Sequence, residues 1–268
     1  MHPEMSDAAY APPREPAPTL NSALPRPSGR RLATVLGAAF VIAGGAGYLS
    51  VIAARMAAPQ WAEDTNRVAV IVIAVVYLAV GAVILAGLGR TRAERTTRLG
   101  ISPIRASDLG YGIAVWSGAY LAAGAFYAIS GPLGGPTLHD AANLLMSVGA
   151  DNGRLSTATV PVAAVILLRI VALSPIVEEL LFRGALFTWM RMHLAAKWTI
   201  LATALLFGAI HQSPTFLPLA IAVGLASGSI RERTGSVVPV VVVHALQSAA
   251  IVVLSLIVTG WDAPPIFG

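Results

Sequence analysis

Four stretches of this chain, 32–54, 68–88, 109–129 and 237–258, each hold the roughly 20 mostly apolar residues that a helix needs to cross a bilayer. A fifth, 160–190, is long enough for a span and an extension, with Pro175 as the expected kink. Two shorter runs, 198–212 and 216–230, complete seven. The runs are continuous rather than alternating. They therefore ask for helices and not barrel strands, because lipid offers no partner to an unpaired backbone group. Charged residues are only 12% of the 268, about half the share of ~25% found in soluble domains. The chain reads as an all-α, polytopic membrane bundle of about seven to eight transmembrane helices.

The apolar runs divide the rest. Residues 1–29, with seven prolines, read as a disordered cytosolic tail. Residues 30–129 read as N-terminal transmembrane helices, 130–159 as an extracytoplasmic loop, 160–258 as the core and 259–268 as a short tail. Arg30 and Arg31 before the first run resemble the start of a signal peptide, but the run exceeds an h-region of about 7–15 residues and further spans follow. It reads as a retained helix.

A net charge of +5 and a pI near 10.1 raise the question of nucleic acid. The arginines flank apolar runs, and no basic face is interleaved with aromatics, so nucleic-acid binding is set aside. Arginine placement reads instead as topology. With the N-terminus in the cytoplasm, 13 of the 18 basic residues fall inside, among them Arg90, Arg92, Arg95, Arg98 and Arg105. Arg55, Arg67 and Arg154 fall outside, and Arg169 and Arg183 lie within a span. Trp61 and Trp261 then mark the outer interface, Trp189 and Trp198 the inner one. The expected setting is a cell membrane of bacterial type, crossed many times, with the lipid bilayer as the first partner. Without cysteine, disulfides, thiol catalysis and Cys-based metal sites are excluded.

Ionisable residues at bilayer depth are costly, about 2.5–3.5 kcal/mol each at the centre on insertion scales, which marks them as functional candidates. Among the acidic residues only Glu178 and Glu179 lie deep in a span, and among the histidines only His211 and His244. Counted from the cytoplasmic boundary, Glu178 is 13 residues from Arg191, His211 is 13 from Trp198 and His244 is 9 from Gly235. At about 1.5 Å per residue all three sit roughly 13–20 Å deep, on one level. Glu179 and Arg183 share a helix face at i, i+4 and are expected to pair, leaving Glu178, about 100° away, as the free carboxylate and candidate general base. Phe207 and His211 share a face in the same way, as do His244 and Ser248. For each residue alone, hydrogen-bonded structure or helix packing is the plainer reading. The matched depth of three helices favours function.

Glu178-Glu179-x-x-x-Arg183, Phe207-x-x-x-His211 and His244 together resemble the CPBP intramembrane proteases, which include type II CAAX prenyl endopeptidases and bacteriocin-processing and immunity homologues. The resemblance covers about residues 160–258, and it implies a helical fold with a catalytic cavity open to membrane and cytoplasm. It further implies an endopeptidase in which Glu178 and His211 activate water and His244 helps to hold the oxyanion. The position four after His244 is usually Asn or Asp in the family and is Ser248 here, whose hydroxyl is shorter and donates one hydrogen bond. Gln247 is expected to point about 100° away from the His244 face.

No cofactor is expected. Zinc held by Glu178, His211 and His244 is the alternative, since two His and a Glu form a zinc donor set, although the His-Glu-x-x-His helix is absent. Ser227-Gly228 lacks the leading glycine of a rhomboid-type serine motif. The expected partner is a peptide or membrane-protein substrate. The rivals are a catalytically impaired immunity or scaffold homologue, favoured by Ser248, and a proton-coupled transporter, disfavoured because no internal repeat is visible. Neither the substrate, the oligomeric state nor a partner for Arg169 is assigned by the sequence.

Overall fold

The computed structural model describes residues 28–57, 65–149, 160–211 and 213–259, and every regular element among them is helical. The first half supplies α1 (Gly29–Ala57), α2 (Thr65–Leu88), α3 (Arg92–Leu99), α4 (Ala106–Ser130) and, after a 3-10 turn, α5 (Leu138–Gly149). A long helix over 160–191, α6, carries the paired glutamates. It is followed by α7 (Ala196–Ile210), α8 (Leu217–Thr234) and α9 (Val238–Thr259). The proline-rich segment 1–27, Trp61, Arg154 and Trp261 fall outside the described residues.

Among the described residues three helices are long and apolar enough to cross a membrane, over Ile71–Leu88, Ala106–Leu133 and Val238–Val258. They coincide with three of the apolar runs. Ala196–Ile210 is a shorter apolar helix. Large apolar side chains such as Leu78, Leu121, Val253 and Ile257 are exposed on these helices, a surface suited to lipid tails rather than water.

Helix α6 is not a uniform α-helix. Its turns widen to π geometry at Arg169–Leu173 and again at Leu180–Leu186, and Glu178 and Glu179 end the short α segment Ser174–Glu179 between them. Pro175 lies in the first turn of that segment. A proline cannot donate to the carbonyl four residues back, so the ladder must break there, and the break falls directly after a π turn. Gly184, in the second π turn, lets Leu99 approach: an added Cβ would stand 3.1 Å from the Leu99 carbonyl oxygen.

Two helices lie where no apolar run announces one. Thr91 and Glu94 form a capping box for α3, with the Glu94 N–H 3.1 Å from Thr91 Oγ1 and the Thr91 N–H 3.3 Å from Glu94 Oε2. Gly100, at φ 66°, ends that helix in the left-handed region. Helix α5 occupies part of the segment read as loop, and Thr137 and Asp140 bond reciprocally at its start.

Packing runs in two main clusters. Trp116, Phe182, Phe207, Val223 and Val243 gather α4, α6, α7, α8 and α9. Leu32, Ile84, Leu99, Leu180 and Val237, with Val238 and Val241, join α1, α2 and α3 to α6 and to the start of α9. Helices α7 and α8 come close enough that a Cβ on Gly224 would lie 2.8 Å from Ala204 Cα. Small residues permit such approach where lipid supplies no hydrophobic drive between helices.

Candidate active site

Glu179 and Arg183 are both fully buried on α6. One guanidinium nitrogen of Arg183, Nη1, donates to Glu179 Oε1 at 3.3 Å and stands 3.1 Å from Oε2 as an ion pair. The other, Nη2, reaches across to the carbonyl of Gly224 on α8 at 3.2 Å. The guanidinium also sits 4.5 Å from the centre of the Phe207 ring on α7, within cation–π range. This arginine therefore ties three helices together. His244 on α9 brings its Nδ1 to 2.9 Å from Glu179 Oε1. A carboxylate only accepts, so Nδ1 carries the hydrogen, and Glu179 fixes the ring's tautomer and orientation.

Glu178 turns elsewhere. Its Oε1 accepts from the Tyr77 hydroxyl on α2 at 2.8 Å and from the hydroxyl of Ser174, one turn earlier on α6. The two hydroxyls lie 3.1 Å apart, with Ser174 Oγ donating to Tyr77 in alternation. The picture of Glu178 as a carboxylate without polar partners is thus corrected. Ser174 reaches it because i and i+4 share a face, and Tyr77 because α2 packs against this stretch of α6.

His211 caps α7 at its C-terminal end. Its Nδ1 donates to the Phe207 carbonyl at 2.7 Å, which leaves Nε2 as the acceptor of the neutral ring. Phe207 and Phe216 hold the imidazole from two sides, with ring centres 4.8 and 4.9 Å away. Trp116 does the same for His244 at 5.3 Å.

Glu178, His211, His244 and Ser248 line one cavity of about 410 Å³, together with Arg169 and Gln247. Its carboxylate and imidazoles come from α6, α7 and α9, and α2, α4, α5 and α8 add apolar or aromatic wall through Ile73, Tyr120, Leu144 and Val223. Glu179 and Arg183 stand behind that wall. Gln247 corrects a second expectation, because it faces the cavity with His244. Three residues on, it is only about 60° around the helix from His244, well within one face.

Among the described residues no group of three or more His, Asp or Glu is gathered as a metal site. Glu178, His211 and His244 share the cavity without forming a preassembled ligand set.

The arrangement defines a helical membrane protein with a carboxylate and two oriented imidazoles around a cavity otherwise lined largely by aromatic and aliphatic side chains. Residues 160–250 match the family described as Type II CAAX prenyl endopeptidase Rce1-like, a protease family consistent with the CPBP resemblance of the motifs. Comparison with curated proteins and with solved structures finds no match. The matched segment contains Glu178, His211, His244 and Ser248 but not Tyr77.

Proposed function

We propose that this chain is an intramembrane endopeptidase that hydrolyses a peptide bond near the cytoplasmic side of the membrane. Glu178 takes a proton from a water molecule, with His211 Nε2 as the second group orienting it. The water oxygen attacks the scissile carbonyl carbon, and the carbonyl oxygen becomes an oxyanion. His244, tethered at Nδ1 by Glu179, donates to that oxyanion from Nε2 in its imidazolium form, with Ser248 as the neighbouring donor. The proton held by Glu178 then passes to the leaving nitrogen as the C–N bond breaks. A carboxyl group and an amine result, and Glu178 returns to its starting form.

The observation that carries this reading is the sorting of charge in α6. Glu179 is consumed by Arg183 and His244 behind the cavity, whereas the adjacent Glu178 faces it alongside His211. A pure packing device needs only the first arrangement. Positioned acid–base groups of this kind contribute about 10²–10⁴ in rate.

Ser248 carries the second reading, a homologue in which turnover is weak or lost and the fold serves immunity or scaffolding. Loss of one oxyanion donor costs about 10²–10³ in kcat. The presence of Gln247 on the same wall favours the enzyme, since its amide supplies a longer donor beside the short hydroxyl. The substrate class is a peptide or membrane-protein segment, and the expected setting is the cytoplasmic membrane with the N-terminus inside, from the distribution of arginines.

Comparing membrane-protein termini in cells carrying the wild-type chain and the Glu178→Ala chain tests turnover and finds substrates together. New termini present with wild type and absent with Glu178→Ala support the endopeptidase. Identical termini, with the variant inserted at normal level and its biological effect retained, favour the scaffold reading.

A further inference from the structure

The family match begins at residue 160, yet the carboxylate assigned above as general base is held in part from α2, 101 residues earlier in the chain. Tyr77 donates to Glu178 Oε1 at 2.8 Å, Ser174 donates to the same oxygen, and the two hydroxyls touch at 3.1 Å. Three polar groups from two helices close a small hydrogen-bonded ring. Two donors on one oxygen fix the plane of the carboxyl group and leave Oε2 as the oxygen engaged by neither.

Helix packing alone gives no reason for this. Tyr77 lies in the middle of a helix apolar enough to span a membrane, where a phenylalanine would fill the same space without a polar atom to satisfy. A phenol at such depth must find a partner, and the one it finds is the carboxylate on the cavity wall. Ser174 occupies the first turn after the Arg169–Leu173 π turn, so the local widening of α6 sets the register that brings its hydroxyl beneath Glu178.

We propose that Tyr77, with Ser174, is a positioning residue for the Glu178 carboxylate: it locks Oε1 so that Oε2 is presented to the water to be activated. This rests on the reading of Glu178 as the base. It also gives the N-terminal helices a part in the chemistry, because α2 supplies one wall of the base's hydrogen-bond shell. Tyr77 itself need not touch substrate.

The test uses the full chain in lipid nanodiscs and infrared difference spectroscopy between acidic and neutral pH. The carboxyl band of Glu178 is assigned by its loss in Glu178→Gln. In Tyr77→Phe the band moves to higher wavenumber as one donor is lost, Ser174→Ala moves it in the same direction, and the melting temperature changes little. In cells, Tyr77→Phe then lowers the yield of chain-dependent protein termini about tenfold or more, the loss expected for a hydrogen bond to a charged group. An unshifted band in Tyr77→Phe overturns the proposal. So does a shifted band with wild-type yield of termini while Glu178→Ala abolishes them. If Glu178→Ala leaves the termini intact, the assignment of the base has failed, and the positioning role falls with it whatever the band does.

Discussion

Glu179 accepts from both Arg183 and His244 through Oε1 and faces Arg183 as an ion pair through Oε2, with its side chain wholly enclosed. Such a charge is tolerated only while its partners stay in place. Removing one member of a buried pair strands the other and costs about 3–5 kcal/mol. Arg183→Ala is accordingly expected to destabilise the protein by about that amount, seen as a marked fall in melting temperature in detergent. It also frees the Gly224 carbonyl and the Phe207 ring face, so α7 and α8 lose a common anchor. The pairing of Glu179 with Arg183 was legible in the sequence, since one helix carries both residues one turn apart. The contact with His244 was not. It joins residues 65 positions apart on helices whose relative rotation no spacing rule supplies. The same holds for Tyr77, a residue that reads from sequence as one aromatic among the aliphatic residues of α2.

Between elements, α7 and α8 come close at Gly224, where the nearest atom is backbone. A methyl group there would meet Ala204 Cα at 2.8 Å and Ala204 Cβ at 2.9 Å, both too close for a flexible side chain to relieve. Gly224→Ala is expected to push the helices apart at a cost of about 1–3 kcal/mol, measurable by thermal unfolding in detergent. Turnover should fall more than stability, because His211 rides on α7. The start of α5 offers a pH-dependent counterpart. The backbone N–H and the hydroxyl of Thr137 bond the Asp140 carboxylate, which holds its pKa below the ordinary value. A depressed folded-state pKa means the cap's contribution is complete above the ordinary carboxylate range and is lost as pH falls through the lowered value. The protection of amides in the first turn of α5, measured against their intrinsic exchange rates, should therefore fall in acid, and in Thr137→Ala it should already be low at neutral pH. Both short helices, α3 and α5, carried readable capping signals, Thr91-x-x-Glu94 and Thr137-x-x-Asp140. Hydropathy hides them because they are too short and too polar to register as apolar runs. The π turns of α6 are hidden for a different reason. They change the backbone's winding without changing its composition.

At the scale of the molecule, two halves of different character meet at Glu178. The helices from α6 to α9 hold Glu178, His211, His244 and Ser248, and the match to the CAAX-protease family begins and ends among them. The helices before them pack against α6 through Ile84, Leu88 and Leu180, and one of them delivers the Tyr77 hydroxyl. The all-helical membrane class was readable from the continuous apolar runs because a bilayer leaves helices as the natural way to satisfy backbone groups in such runs. Counting residues from Arg191, Trp198 and Gly235 leads to the expectation that Glu178, His211 and His244 can meet, and those side chains do line one cavity. What faces each of them was not readable, since that depends on helix rotation and on which helices touch.

The central claim concerns one carboxylate. Purified wild-type and Glu178→Ala proteins, reconstituted in liposomes, are compared for the rate at which they cleave a peptide whose new terminus depends on the chain in cells. Glu178→Ala is expected still to insert and fold, and to cleave about 10²–10⁴-fold more slowly. Equal rates for the two proteins would contradict it.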